Sequence, residues 1–118
     1  MKSILTTFAL LSVASPAMTM PYMATASWYG PYYHGRTTAN GEVFNQWAMT
    51  TAHQSLPFGT RVRVVNPRNG RSLVVRVNDR GPYIGRREFD LSRGAADALG
   101  VTRQGVAELQ FEILKETN

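Results

Sequence analysis

Three side chains that can exchange protons stand far apart in the sequence, at Glu42, His53 and Asp79. Asp79 lies in VNDRGP, where an apolar strand pattern stops at Asn-Asp and a Gly-Pro turn follows. A carboxylate at the end of a rigid strand can be held towards a cleft, whereas Asn, Asp, Gly and Pro also occur in turns for backbone reasons alone. Both interpretations of Asp79 are open until its surroundings are considered.

Strand patterns dominate the chain around these residues. Residues 60–65 alternate between apolar and polar, the Asn69-Gly70 pair predicts a tight hairpin turn, and residues 73–77 alternate on the return. Residues 107–113 repeat the pattern near the C-terminus. For residues 24–33 we predict an edge strand that runs into a loop.

One short helix is predicted in SRGAADALG, between the last two strand patterns. Ser92 can cap its free amides, and Gly100 can end it in a left-handed conformation. Its predicted apolar face consists of Ala95, Ala98 and Leu99. A chain of 118 residues suits one domain with a single core, and strands at regular spacing favour a small barrel or sandwich.

The N-terminal residues 1–17 have the pattern of a secretory leader. Lys2 precedes an apolar run over residues 4–14, and the small residues Ser15 and Ala17 follow in the spacing that a signal peptidase reads. The run is shorter than the ~20 residues of a membrane span. We therefore predict export with cleavage near Ala17, and an uncleaved leader that acts as an anchor is the alternative.

The residue inventory limits cofactors and partners. The chain has no cysteine and only two histidines, His34 and His53, which excludes a Cys/His zinc site; we predict no metal and no cofactor. The net charge is +5, supplied mostly by arginines, whose guanidinium groups suit carboxylates and phosphates. Nucleic acid is the usual partner of so basic a domain, but export favours an anionic envelope polymer. A basic surface that only aids solubility is the alternative.

Several short motifs follow one another along the chain. They are ASWYG (26–30), TANGE (38–42), TAH (51–53), LPFGT (56–60), VNDRGP (77–82) and DLS (90–92). Each is weak alone, but in this order they closely resemble the rare lipoprotein A family, the septal-ring lytic transglycosylases of bacterial envelopes. The resemblance covers essentially all of the chain after the leader.

The resemblance implies a mainly β fold, a six-stranded double-psi β-barrel over residues 24–115 with one or two short helices. It implies cleavage of peptidoglycan glycan strands between N-acetylmuramic acid and N-acetylglucosamine, leaving a 1,6-anhydro ring, with a preference for strands stripped of their peptides. The family's active-site candidates match Glu42, His53 and Asp79 here. We expect a monomer in the periplasm or cell envelope that binds no nucleic acid.

The chain departs from the family pattern in three places. It has no lipobox cysteine, so we expect no lipid anchor and no stable membrane attachment. It stops at Asn118 without the septum-targeting repeat domain of many relatives, and Thr51 stands where alanine is usual. The two absences bear on septal localisation rather than on the catalytic interpretation.

A lytic transglycosylase can use a single carboxyl group where a hydrolase typically uses two. The sugar's own 6-hydroxyl attacks, so the group that gave the proton can take one back. We predict that Asp79 is this acid/base and that Glu42 positions substrate or tunes Asp79. A carboxyl group that donates a proton near neutral pH needs burial or a negative neighbour to raise its pKa from about 4. We expect Glu42 to be that neighbour.

The remaining polar candidates have supporting roles. A close guanidinium would favour the ionised carboxylate, so we expect the Arg80 side chain to point away from Asp79 or towards substrate. His53 is either a satisfied structural side chain or a hydrogen-bonding partner of a carboxylate or sugar. Asp90 either organises the helix start or binds substrate, as a similar FDLS motif in the expansins carries a functional aspartate.

Aromatic side chains offer flat surfaces for sugar rings. We predict substrate contacts for Trp28, Tyr29 and Tyr83, together with Arg80 and Asp90. Tyr32 and Tyr33 are further candidates, and core packing is the alternative for Trp28. Phe44 and Trp47 are assigned to the core.

Two other functions compete with the lyase. The same groove and aromatics could serve a non-catalytic, expansin-like module that binds or loosens wall polysaccharide. A basic scaffold protein would instead use the polar set only as surface.

Overall fold

The computed structural model describes residues 20–115. Its strands are β1 (Tyr22–Trp28), β2 (Thr50–His53), β3 (Arg61–Val65), β4 (Ser72–Asp79), β5 (Phe89–Leu91) and β6 (Val106–Lys115). They close into a barrel in the order β1-β5-β2-β4-β3-β6. One α-helix, α1 (Arg93–Leu99), and a 3₁₀ turn at Pro31–Tyr33 lie in the connections. The prediction of a mainly β, six-stranded barrel is confirmed.

Strand pairing mixes parallel and antiparallel neighbours. β1 runs parallel to β5 and antiparallel to β6, while β2 runs parallel to β4 and antiparallel to β5. β3 is antiparallel to both β4 and β6. Because β1 has a partner on each side, the prediction of an edge strand for residues 24–33 is wrong, and the barrel closes through this strand.

The barrel interior contains the alternating apolar residues that the sequence indicated. Val62 and Val64 of β3 and Leu109 of β6 have no exposed surface, as the two-residue period of a half-buried strand requires. The rings of Phe89 and Phe111 stack across the interior with centroids 3.9 Å apart. The hairpin between β3 and β4 also forms as predicted, with Gly70 at φ +76° in its turn.

The helix α1 is capped as predicted but buries a different face. The Ser92 hydroxyl accepts a hydrogen bond from the Ala95 amide at 3.2 Å, and Gly100 adopts φ +76° at the other end. The buried residues are Ala95, Ala96 and Leu99. Ala98 is exposed, so its assignment to the apolar face is wrong. Ala96 and Ala98 lie on opposite sides of the line through Ala95 and Leu99, and the barrel is on the Ala96 side.

The long connection between β1 and β2 covers one side of the barrel. Phe44 is buried there, with 2% of its surface exposed, as predicted. Trp47 is 54% exposed, so its assignment to the core is wrong. Its backbone packs against Gly94 at the start of α1, which turns the indole outwards beside the Arg93 guanidinium.

The leader, residues 1–17, lies outside the described residues and stays a prediction. Between residues 20 and 115, no helix is long and apolar enough to cross a membrane.

Candidate active site

Strand register aligns two aspartates across the barrel wall. Ser27 of β1 pairs with Asp90 of β5, Asp90 pairs with Ala52 of β2, and Ala52 pairs with Asp79 of β4. We call these four residues the cross-strand row. Its neighbours on β5, Phe89 and Leu91, are in the core, so Asp90 leaves the strand on the opposite face.

A β-bulge places Asp79 in this row. Thr51 pairs with Val77, but the next residue, Ala52, pairs with Asp79, so Asn78 is an extra residue on β4. Simple alternation from Val75 and Val77, both buried, would point Asp79 into the interior. The extra residue changes the direction in which the Asp79 side chain leaves the strand. That side chain is half-buried and not enclosed in the interior.

The two oxygens of Asp79 have different surroundings. Oδ1 accepts hydrogen bonds from the backbone amides of Ala39 and Arg80, each at 2.9 Å. Within residues 20–115, Oδ2 accepts only the longer bond from the Tyr29 hydroxyl, at 3.3 Å. The amides fix the carboxyl group through Oδ1 and leave Oδ2 with fewer hydrogen bonds.

Tyr29 is held against Asp79 by packing. Its ring stacks on Phe44 with centroids 4.7 Å apart and meets the edge of Tyr33 at 5.6 Å. Burial raises the pKa of Tyr29 well above its usual range, and the negative charges of Asp79 and Asp90 act in the same direction. The hydroxyl therefore keeps its proton and acts as a donor at this site.

Asp90 is the carboxyl group that shares the electrostatic environment of Asp79. Burial raises the pKa of Asp90, and the charge of Asp79 raises it further, against the lowering effects of Ser27 and Arg87. Ser27 donates a hydrogen bond to Asp90 Oδ1 at 2.9 Å. Within residues 20–115 the Asp90 side chain makes no hydrogen bond to the helix start, where Ser92 is the cap.

Glu42 is saturated by other partners. Arg76 donates to both of its oxygens, at 2.6 and 3.0 Å, and the amides of Asn40 and Asn78 donate at 2.9 and 3.0 Å. These hydrogen bonds, led by that of Arg76, lower the pKa of Glu42 to about 2. Glu42 is therefore held as an ionised carboxylate paired with Arg76, and its predicted roles in positioning substrate and in tuning Asp79 stay predictions.

The TANGE motif forms a turn that joins Glu42 to Asp79. The Thr38 amide donates to the Glu42 carbonyl at 2.8 Å, and the Asn40 amide donates to the Asn78 carbonyl at 3.3 Å. Ala39, inside the same turn, supplies its amide to Asp79. Glu42 and Asp79 are thus brought together by the turn, with Glu42 fastening it to β4 through Arg76.

His53 has both ring nitrogens engaged elsewhere. Nδ1 accepts from the amides of Ser55 and Leu56, at 3.1 and 3.0 Å, and Nε2 lies 3.2 Å from Glu88 Oε2. His53 pairs with Phe89 and Ala52 pairs with Asp90, so these consecutive side chains leave β2 on opposite faces. The expected hydrogen bond to a carboxylate exists, but it is made to Glu88 rather than to Glu42 or Asp79.

Arg80 turns away from the Asp79 carboxylate, as expected. Its guanidinium donates to the carbonyls of His53 and Leu56, at 3.3 and 2.8 Å, and lies 3.8 Å from the Phe58 ring centroid. These contacts tie the end of β4 to the segment after β2. The Arg80 backbone amide, and not its charge, is what contacts Asp79.

Three aromatic candidates remain, and they differ in exposure. Tyr32 is 86% exposed in the 3₁₀ turn. Tyr83 is 71% exposed in the loop between β4 and β5, where a ligand can reach it. Trp28 donates from Nε1 to the Thr102 carbonyl at 3.0 Å and packs against the core. These contacts agree with the alternative prediction that Trp28 has a packing role. The sequence analysis missed the β-bulge at Asn78, the partners of Asp90, and the contacts of Arg76 and Glu88. All of these depend on the register between strands that lie far apart in the sequence, and no local sequence pattern indicates that register.

The strands and side chains of this site lie within a segment that matches a known protein family. Residues 23–111 match a family model described as "Lytic transglycolase". The chain belongs to this family. A relative in Synechocystis sp., named probable endolytic peptidoglycan transglycosylase RlpA, is 61% identical over 90 residues, which cover 76% of this chain and 28% of that protein. One of the same name in Nostoc sp. is 57% identical over 97 residues, covering 80% and 26%.

The lytic transglycolase family assignment confirms the predicted resemblance. The matched segment of this chain spans between 26% and 36% of the length of the curated relatives. Among solved structures, a Streptomyces papain inhibitor superposes with a TM-score of 0.67 at 21% identity, over 86% of this chain and all of that one. A Clavibacter michiganensis expansin gives 0.65 at 23%, over 84% and 52%. Both support the double-psi β-barrel fold.

Proposed function

We propose that this chain is the catalytic domain of an exported lytic transglycosylase. Its substrate is a peptidoglycan glycan strand, cut between N-acetylmuramic acid and N-acetylglucosamine to leave a 1,6-anhydro end. The observation that carries the proposal is the fixed Asp79 carboxyl group in the cross-strand row, with one oxygen held by two amides and the other accepting a single long bond. The family of the chain and the names of its relatives support the reaction class.

The proposed reaction needs one proton-exchanging group. Protonated Asp79 gives its proton from Oδ2 to the glycosidic oxygen as the bond from the anomeric carbon to that oxygen breaks. The 6-hydroxyl of the same muramic acid then bonds to the anomeric carbon and passes its proton back to Asp79. Asp79 ends as it began, and no water is consumed, which distinguishes this route from hydrolysis by two carboxylates.

The other residues of the site support this step. Positive charge develops at the anomeric carbon in the transition state. Asp90 lies close enough to Asp79 that the charge of Asp79 raises the pKa of Asp90. Tyr29 orients Asp79. Glu42 acts as a structural clamp that holds the Ala39 amide in place, and the exposed ring of Tyr83 offers a stacking surface for sugar.

We further propose that the substrate strands are peptide-free, that the protein acts in the periplasm or cell envelope as a monomer, and that it neither binds nucleic acid nor keeps a stable membrane anchor. The arginine-rich composition fits an acidic glycan as well as a nucleic acid. The proposed export decides between these polymers, because peptidoglycan lies outside the cytoplasm.

The reaction is tested with Asp79→Asn and purified, peptide-free glycan strands. Mass spectrometry of the digest should show anhydro-ended products with the parent chain and at least about 100-fold slower product formation with the variant. Asp97→Asn, on the exposed side of α1, serves as the matched control and should cleave normally. Normal cleavage by a folded Asp79→Asn chain would overturn the assignment of the acid/base.

A polysaccharide-binding module of expansin type is the second candidate. The observation that favours it is the expansin superposition, since one such structure is described as a complex with cellohexaose. At this level of identity the likeness concerns the fold alone. Retention of the parent chain on glycan strands without any anhydro-ended product would favour binding over cleavage.

A further inference from the structure

A second polar cleft lies where β2 ends and β5 begins. It has a volume of about 340 Å³ and is lined by His53, Gln54, Ser55, Arg86, Arg87 and Glu88. Clefts of about 300–1,000 Å³ hold small ligands or single units of larger ones. The mechanism proposed above uses none of these side chains to transfer a proton.

Glu88 is held in this cleft by two donors on one oxygen. The Tyr22 hydroxyl donates to Oε2 at 2.7 Å, and His53 Nε2 lies 3.2 Å from the same atom. Because His53 Nδ1 accepts from two backbone amides, the ring proton sits on Nε2 and points to Glu88. Oε1 has no partner within residues 20–115, and the side chain is 40% exposed. The cleft therefore presents one fixed, unoccupied carboxylate oxygen.

The two arginines of the cleft differ in their engagement. Arg87 donates from a guanidinium nitrogen to the Ser27 hydroxyl and from Nε to the Ile84 carbonyl, both at 3.0 Å. Arg86 is exposed, and within the described part of the chain its guanidinium has no hydrogen-bonding partner or ion pair. The hydrogen bonds from Tyr22 and His53 hold Glu88 in place without cancelling its charge, and Arg86 is the cation of the cleft that is available to a ligand.

The cleft adjoins the proposed catalytic site. Arg87 lines the cleft and contacts Ser27, and Ser27 in turn donates to Asp90 in the cross-strand row. Gln54 fixes the far wall, since its amide donates to the Pro82 carbonyl at 2.7 Å. Two hydrogen bonds thus connect the cleft to Asp90, which lies in the same row as Asp79.

We propose that this cleft is a saccharide subsite for an acidic sugar. Glu88 Oε1 accepts a hydrogen bond from a hydroxyl or acetamido N–H group, and Arg86 pairs with a carboxylate on the sugar, which in a muramic acid unit is the carboxylate of its lactyl group. His53 and Tyr22 are positioning residues that act through Glu88. The proposal rests on the proposed function for its substrate class, but not on the role of Asp79.

The experiment measures binding in an Asp79→Asn background, so that cleavage does not interfere. Two probes are titrated by calorimetry: a peptide-free tetrasaccharide of alternating N-acetylglucosamine and N-acetylmuramic acid, and the same tetrasaccharide with its lactyl carboxyls converted to methylamides. Arg86→Gln should weaken binding of the acidic probe about tenfold and leave the amidated probe unchanged. Glu88→Ala should weaken both probes, and Glu88→Gln, which keeps a carbonyl acceptor, should recover part of the loss.

Arg68→Gln, in the exposed β3–β4 turn, is the matched control for loss of one positive charge and should bind both probes normally. Amide NMR shifts should move at Gln54, Ser55 and Glu88 on addition of the acidic probe. Equal affinities of Arg86→Gln and its background for the acidic probe, or shifts confined to other regions, would overturn the subsite. Normal cleavage by Asp79→Asn would sink the catalytic proposal alone, because the cleaved products keep the acidic sugar and the amide shifts at Gln54, Ser55 and Glu88 would still test the subsite.

Discussion

Two carboxylates that looked alike in the sequence have opposite surroundings in the structure. Glu42 is fully engaged with Arg76, Asn40 and Asn78, whereas Asp79 keeps one oxygen with a single long bond. On this basis we propose a structural role for Glu42 and proton exchange for Asp79. Sequence motifs predict which residues share a site, whereas their hydrogen bonds indicate which role each residue can take.

The pairing of Glu42 makes the stability of the chain depend on pH. Its pKa is lowered from 4.5 to about 2, so the ion pair contributes stability above about pH 4.5 and loses it as pH falls towards 2. The Glu42–Arg76 pair is part-exposed, so screening limits the contribution to about 1 kcal/mol.

We therefore expect Glu42→Gln to be about 1 kcal/mol less stable than the parent at pH 7, with the difference vanishing near pH 2. Urea unfolding at pH 7, 4 and 2.5 measures it. Glu112→Gln, which removes a carboxylate paired with the exposed Arg63, is the control and should change stability by less. A Glu42→Gln deficit that stays constant over this pH range would show that charge is not its cause.

At the scale of elements, the helix α1 is fitted against the loop that precedes β2. A Cβ added at Gly94 would overlap the backbone carbonyl of Trp47, and backbone cannot move aside as a flexible side chain can. Ordinary helix propensity favours alanine over glycine by about 1 kcal/mol. At Gly94 the clash should reverse that sign.

We expect Gly94→Ala to destabilise the chain by about 2 kcal/mol, a typical result of overpacking. Ala98→Gly, on the exposed side of the same helix, should cost about 1 kcal/mol through propensity alone. Chemical denaturation of both variants compares the two effects. A Gly94→Ala chain more stable than its parent would mean that the loop and α1 are not in contact as described.

The elements themselves were largely predictable, and the contacts between them were not. Alternation located β3, β4 and β6, and Ser92 and Gly100 gave the helix bounds. Trp47 and Ala98 were misassigned because apolar character does not say which side of a loop or helix meets the barrel. The pairing of Asp90 with Ala52, and of Ala52 with Asp79, joins strands far apart in sequence, and nothing in either segment encodes it locally.

At the scale of the whole molecule, a closed barrel of moderate size carries net charge +5 and is proposed to work outside the cytoplasm. The leader template requires removal of residues 1–17 after export. We expect intact mass spectrometry of the exported protein to show a chain that begins at Met18.

Ala17→Leu, which replaces the small residue that the peptidase reads, should leave a chain of full length attached to the membrane fraction. The parent chain is its control in the same preparation. Full-length parent protein in the membrane fraction would favour the anchored alternative and overturn the prediction of cleavage.

The extra residue at Asn78 has a consequence for how this site can be lost or gained. Because one additional position on β4 decides whether Asp79 faces the core or the ligand side, the spacing of the strand end matters as much as the identity of its aspartate. Deletion of a single codon there would abolish the proposed chemistry, although the gene would still encode every side chain to which we assign a role.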